Sequence, residues 1–187
     1  VEPGDHDRIT GAPSRCIQID QSREGIASPL GFLGLMSPIA RRYAASGDAV
    51  ALGLTEKMLV TPCASCRGSG ETRTDMGFLP DEHERCEVCG GSGFHEEIRQ
   101  VAVNGLTLPE LVSMTVSEVL EIWREDERVT RILQLLEDIG LGYLVLKQTA
   151  RSLSGGEVQR LKIARELSRK TNPDTLFLLD EPGNGLH

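Results

Sequence analysis

The chain has 187 residues, with 20 Lys and Arg against 28 Asp and Glu, a formal net charge of −8. That balance excludes a protein that coats nucleic acid through bulk positive charge, so any DNA contact has to be local. Hydrophobic residues make up 39% of the chain and aromatic ones only 4%, enough for one or two cored domains, and no run of eighteen apolar residues exists to span a membrane.

In chain order, Cys16 to Asp20 reads as a short strand. Cys16 itself is expected to be a small buried hydrophobe rather than a reactive thiol. Arg23 to Gly53 is rich in Gly, Ala and Pro, with a short helix expected over Pro38 to Ala45. Two units of the form C-x-x-C-x-G-x-G follow: Cys63 to Gly70 and Cys86 to Gly93. Nineteen residues separate Cys66 from Cys86, a spacing that suits one tetrahedral metal site built from Cys63, Cys66, Cys86 and Cys89. Four protein ligands leave no open position, so zinc there would be structural. Two disulfides or four unpaired thiols are the competing readings, and His83 is a weak candidate as a further ligand.

Ile98 to Val103 is expected to be a short strand ending at the turn signal Asn104-Gly105. Pro109 to Met114 allows one or two helical turns. Thr115-Val116-Ser117-Glu118 is a capping box that should start a helix running to Trp123. Arg128 to Ile139 is amphipathic, with Ile132, Leu135, Leu136 and Ile139 on one face and Gly140 as its stop. Trp123 and these leucines read as packing.

The end of the chain is the most specific. Leu153-Ser154-Gly155-Gly156-Glu157 opens a helix over Val158 to Arg169, with Leu161, Ala164 and Leu167 expected on a buried face. Six Lys and Arg and two Glu between Arg151 and Lys170 give a local net of +4. Free N–H groups at a helix N-terminus attract anions, and glycines let a phosphate approach. Asn172-Pro173-Asp174 breaks the helix. Thr175 to Leu179 then runs apolar without alternation, as a strand covered on both faces does. Asp180 falls at its carboxyl end, where α/β sheets bind ligands, and a carboxylate there can hold Mg²⁺ through water. Glu181 is placed to polarise an attacking water. Signature loop, helix and acidic strand in this order point to an ATP-binding-cassette ATPase, so Ser154, Gly155, Gly156 and Asp180 are candidate nucleotide and Mg²⁺ contacts and Glu181 a candidate catalytic residue.

No G-x-x-x-x-G-K-[ST] phosphate loop occurs in the chain. It opens on Val1 and stops at His187, soon after the acidic pair. The expectation is a piece of a longer protein, lying after the phosphate loop and unable to turn over ATP by itself.

Together these stretches resemble the UvrA family, the ATP-dependent excinuclease component of bacterial nucleotide excision repair, in its C-terminal half. Ile19-Asp20-Gln21-Ser22 resembles the family's I-D-Q-S, which makes Gln21 the Q-loop residue and a candidate nucleotide contact. Phe78-Leu79-Pro80-Asp81, Gly140-Leu141-Gly142-Tyr143, Leu153 to Arg160, Leu179-Asp180-Glu181-Pro182 and Gly185-Leu186-His187 carry the rest. The resemblance spans Asp20 to His187 and is weakest between Arg23 and Pro62. It implies an α/β fold: part of an ABC-type ATPase core with a mainly helical signature region and a small four-cysteine zinc module inserted. The implied division is 1–62 core and connector, 63–94 zinc module, 95–150 helical insertion, and 151–187 signature helix and acidic strand. ATP with Mg²⁺, damaged duplex DNA, a UvrB-like helicase subunit, a second copy of the protein and the bacterial cytosol are the implied cofactors, partners and compartment.

Several residues depart from the family's pattern. Arg23 to Pro29, Glu56 to Val60 and Gly90 to His95 replace stretches that are more basic or aromatic in the family, and Gly183-Asn184 stands where the family has two threonines. Arg67, Arg73, Arg85 and His95 remain as candidate DNA contacts, among Glu71, Asp75, Asp81, Glu82 and Glu84. A UvrA-like ATPase serving drug self-resistance or another DNA task, and a zinc-binding interaction module of the kind in DnaJ-type chaperones, are the alternative readings.

Overall fold

The computed structural model describes residues 10–74, 77, 82–169 and 174–180, with the side chains of 73, 74, 82 and 83 left aside. Glu181, Arg73 (as a side chain), Phe78 to Asp81 and Asn172-Pro173 therefore lie outside what is described. Among the described residues, helices mix with three small two-stranded sheets, as expected for an α/β core segment.

Strand β1 (Arg15–Ile19) pairs in parallel with β6 (Thr175–Leu179), from Arg15 opposite Thr175 to Ile19 opposite Leu179. The sequence places these strands at opposite ends of the chain, and the fold returns one to the other. Ser14 clamps their start: its N–H donates to Asp174 Oδ2 at 2.8 Å and its hydroxyl to the Asp174 carbonyl at 3.0 Å. Two expectations fail on this sheet. Cys16 is exposed, because it lies on the open face of β1. Leu176, Leu178 and Leu179 are exposed too, since among the described residues β6 has β1 alone as a neighbouring strand.

Between the strands lies a chain of short helices. They are α1 (Pro29–Phe32), α2 (Met36–Ala44), α3 (Gly47–Ala51) and α4 (Glu56–Val60). Ser28, Ser46 and Thr55 cap three of them, each side chain accepting a backbone N–H in the first turn. The cysteine module follows, with the hairpin β2 (Glu71–Thr74) and β3 (Glu82–Arg85) between its two halves. Where a strand over Ile98 to Val103 is expected, a 3₁₀ turn forms at Glu96–Gln100, and the strand is confined to β4 (Ala102–Val103). The reason is local: His95 starts the turn in extended conformation and Ile98 is needed in the core, fully buried. The Asn104-Gly105 turn forms as expected, both residues at positive φ (+53° and +80°), joining β4 to β5 (Leu106–Thr107).

The helical part then runs through α5 (Leu108–Ser113), α6 (Val116–Ile122) and α7 (Glu127–Asp138) to α8 (Gly155–Ser168). The Thr115/Glu118 capping box starts α6, and Trp123 ends it, buried as expected. On α7, Val129, Ile132, Leu133 and Leu136 are buried, while Leu135 and Ile139 pack at the rim. One core cluster runs from Ile26 to Ala164, uniting α1 to α8 and the β4–β5 hairpin. On α8, Val158, Leu161 and Ala164 enter it, but Leu167 is 53% exposed. It stands on the last turn, at the edge of a groove shared with Arg131, Leu135 and Asp138 of α7.

Candidate nucleotide and metal sites

The four cysteines form their own buried cluster, apart from the main core. Their ligand atoms all lie within 4.8 Å of one another. The Sγ of Cys63 is 4.0 Å from that of Cys86, and Cys66 is 3.7 Å from Cys89. None is in a disulfide. A tetrahedron of sulfurs about 2.3 Å from a central Zn²⁺ has edges of about 3.8 Å. The observed separations fit that metal and exceed the sulfur–sulfur bond of about 2.05 Å by far. The donor set fits zinc as well, since thiolates are its preferred structural ligands. The Cys89 N–H, with further help from the Cys89 and Ser65 side chains and the Val88 N–H, brings the Cys86 thiol down to about 6, overriding the effect of burial. A thiolate is the form that binds metal.

The repeated C-x-x-C-x-G-x-G unit explains the geometry, because each half supports the other by the same contacts. Gly70 N–H donates to Cys66 Sγ at 3.3 Å, and Gly93 N–H to Cys89 Sγ at 3.2 Å. Cys63 N–H donates to the Gly93 carbonyl and Cys86 N–H to the Gly70 carbonyl, both at 2.9 Å. Ser69 and Ser92 hydroxyls donate to the carbonyls of Cys66 and Cys89 at 2.8 and 2.9 Å. A Cβ on Gly70 would stand 2.5 Å from the Gly91 carbonyl oxygen, and one on Gly93 would stand 2.5 Å from that of Gly68. The module is thus a pseudo-twofold pair of knuckles. Where the second knuckle has Gly90 at φ +58°, the first has Arg67 at +53°, a non-glycine residue in the left-handed region.

The second site forms where β1 and β6 end. Ser154 is the N-cap of α8, its hydroxyl accepting the Glu157 N–H while the Glu157 carboxylate accepts the Ser154 N–H at 2.6 Å. Among the described residues no acceptor meets the N–H groups of Gly155 and Gly156, which leaves them as donors with the Ser154 hydroxyl proton beside them. Gln21 lies against this loop: a Cβ on Gly155 would stand 2.2 Å from Gln21 Oε1. Gly155 is therefore needed for close approach of the Gln21 amide. Asp180 follows directly after β6 and is exposed, its N–H donating to the Ile19 carbonyl at 3.2 Å.

Four residues to which sequence reasoning gave no role hold these parts together. Gln159, 2% exposed, is the buried polar side chain of the core, and its Nε2 donates to the Asp180 carbonyl at 2.6 Å and toward that of Ile19 at 3.5 Å. Arg23 donates twice to the Leu153 carbonyl, at 2.7 and 3.2 Å, tying the segment after Gln21 to the residue before Ser154. Lys162 of α8 pairs with Asp20 at 2.5 Å, and that contact, with the Ser22 N–H, holds the Asp20 carboxyl below its ordinary value of 3.8. The Tyr143 hydroxyl donates to Glu157. A glutamine on a helix face is unremarkable in sequence, and nothing local names a partner twenty or more residues away.

Of the predicted site residues, then, Gln21, Ser154, Gly155, Gly156 and Asp180 gather at one end of the β1–β6 pair, and the four cysteines gather elsewhere. Arg67 and His95 are exposed on the cysteine module, whereas Arg85 is engaged, its Nε donating to the Gly90 carbonyl at 2.7 Å. No helix among the described residues is long and apolar enough to cross a membrane.

A family model described as ABC transporter matches residues 76–184. UvrABC system protein A of Halalkalibacterium halodurans is 37% identical over 196 residues, covering 100% of this chain and 20% of that protein. The Bacillus subtilis protein of the same name is 36% identical over 197 residues, again 100% of this chain and 21% of the relative. Among solved structures, UvrA2 from Deinococcus radiodurans superposes with a TM-score of 0.84 at 32% identity, over 94% of this chain and 22% of that one. The chain thus spans about a fifth of the length of the curated relatives it matches. It belongs to the ABC transporter family, among the relatives named UvrABC system protein A.

Proposed function

We propose that the chain is the part of an ABC-type ATPase of excinuclease DNA repair that carries the Q-loop, the signature loop and the acidic strand end, with a zinc module inserted between them. The observation that carries this reading is the close approach of Gln21 to Gly155 beside the Ser154 cap, on the same helix whose buried Gln159 amide donates to the Asp180 carbonyl. On this reading the Ser154 hydroxyl and the Gly155 and Gly156 N–H groups take the γ-phosphate of a nucleotide held by another cassette. Asp180 and Gln21 face the Mg²⁺ of a nucleotide held by their own cassette, and Glu181 orients the attacking water. Nucleotide and Mg²⁺ supply the phosphoryl group and its charge neutralisation, and the residues of this chain position them.

Cys63, Cys66, Cys86 and Cys89 hold one Zn²⁺ in a closed, structural site. Residues 1–62 and 151–187 belong to the ATPase core, 63–94 to the zinc module and 95–150 to the helical insertion. The whole protein acts as a homodimer on damaged duplex DNA with a UvrB-like subunit, in the cytoplasm; the names of the relatives support the repair reading.

The test uses the full-length parent. It should hydrolyse ATP and bind damaged duplex more tightly than undamaged duplex. Glu181→Gln should leave ATP binding in place and slow hydrolysis by about 10²–10⁴-fold, as loss of a positioned base does. An active ATPase that binds both duplexes equally favours the UvrA-like protein of another DNA task, a reading the substituted stretches around the zinc module also support. A parent that binds zinc but no ATP overturns the ATPase reading altogether.

A further inference from the structure

The loop after α7 presents one aromatic side chain beside the signature, and the fold holds it there firmly. Gly140, at φ +73°, ends α7, and the chain turns back over the start of α6. The N–H of Val116 donates to the Leu144 carbonyl and that of Ser117 to the Gly142 carbonyl, both at 2.9 Å. Gly142 is packed so closely that a Cβ there would stand 2.1 Å from Glu137 Oε2 and 2.3 Å from Ser117 Oγ. Leu141 and Leu144 are buried on either side. Between these pins Tyr143 is 57% exposed, and its hydroxyl donates to Glu157 Oε1.

Glu157 is an anion placed where an incoming anion would compete with it. One oxygen accepts the Ser154 N–H at 2.6 Å and the other accepts the Tyr143 hydroxyl. Arg160, one turn further along α8, does not hold it by hydrogen bond: its Nη1 donates to the carbonyls of Ile139 and Gly140, at 3.3 Å each. The N–H groups of Gly155 and Gly156 are the nearest alternative donors on the same helix end. A carboxylate at the third helical position has the reach and the charge to fill them.

We propose that Tyr143 is a positioning residue for the signature loop: by fixing the Glu157 carboxylate, it keeps that anion off the Gly155 and Gly156 N–H groups and leaves them for a phosphate. The inference rests on the nucleotide reading given above. Both ionisations agree with the contact. Despite its burial, the Glu157 carboxyl is lowered by the Tyr143 and Ser154 hydrogen bonds and by the charge of Arg160, and the Tyr143 phenol is raised by burial and by Glu157, against the opposing charge of Arg160.

Tyr143→Phe removes the hydroxyl and little else. In the full-length parent it should lower kcat for ATP about tenfold, the scale of one charge-assisted hydrogen bond, with zinc content and thermal stability unchanged. Adding Glu157→Gln should restore the rate to within about threefold, because an amide carries no charge to compete. A wild-type rate in Tyr143→Phe overturns the proposal, and so does a slow Tyr143→Phe that Glu157→Gln fails to rescue. A second measurement is independent of turnover. In the chain itself, Tyr143→Phe should slow hydrogen exchange of the Gly155 and Gly156 amides as Glu157 folds onto them, and the double variant should not. Unchanged exchange in Tyr143→Phe overturns the proposal even if the wild-type parent proves to lack ATPase activity, the result that would overturn the functional reading on its own.

Discussion

Single residues set the tolerance of both sites. Gly70 meets the Gly91 carbonyl so closely that any side chain forces the two knuckles apart, and its φ of +79° is itself strained for an L-residue. Gly70→Ala should therefore cost about 2 kcal/mol or more, from the left-handed backbone and the clash together, and should weaken metal retention in a chelator competition. Wild-type retention would mean that the knuckles are not interlocked as described. At the other site, Asp20 and Lys162 join β1 to α8. The Asp20 carboxyl is held below 3.8, chiefly by Lys162, so the ionised pair stabilises the fold above that ordinary value. The stabilisation is lost as pH falls through the lower, folded value. Asp20→Asn should melt below wild type at neutral pH, and the gap should close in strong acid. It should also narrow in high salt, because Asp20 is partly open to solvent. A gap independent of pH would assign the difference to packing.

Among the elements, the cysteine module is the most nearly autonomous. Its core is four sulfurs and a set of carbonyl and N–H groups, with the apolar cluster of the rest of the chain elsewhere. Site and fold form together in such a module. The purified chain should carry about one zinc, and Cys86→Ser should release it and expose 63–94 to proteolysis while α5 to α8 keep their helicity. Elemental analysis that finds no metal, with the sulfurs oxidised in pairs, would sink the zinc assignment. The signature helix is built differently. A capping box begins α8, and its buried residues Val158, Leu161 and Ala164 join a core shared with α7. Gln159, Lys162 and Glu166, polar side chains that reach past the apolar face, tie it to β1 and to the end of β6.

For the whole molecule, charge limits how the zinc module can meet DNA. Among the described residues, Arg67 stands exposed on the first knuckle, and Arg85 is turned to the Gly90 carbonyl. Affinity and salt dependence both scale with the number of phosphates neutralised. The chain alone should bind duplex DNA weakly, at about 10⁻⁴ M or worse near physiological salt. In the parent, Arg67→Ala with Arg73→Ala should reduce DNA affinity and flatten its salt dependence while zinc stays bound. Retention of the wild-type salt slope would make the module purely structural and move the DNA contact elsewhere.

The sequence alone determined what depends on short spacing. Two C-x-x-C-x-G-x-G units already mark out two matching knuckles, because each cysteine sulfur and the glycine N–H that meets it lie within one turn of each other in the chain. The capping box at Thr115 likewise starts its helix where the residues stand. What only the tertiary structure decided depends on residues far apart. The return of β6 to β1, the exposure of Cys16 and Leu167, and the meeting of Gln21 with Gly155 come from contacts across more than a hundred residues or from the edge of the core. Periodicity says that a face is apolar, but not whether another element covers it. A lone glutamine such as Gln159 shows no partner until the strands it joins are brought together, since hydrogen bonds of buried amides are set by packing rather than by neighbouring sequence.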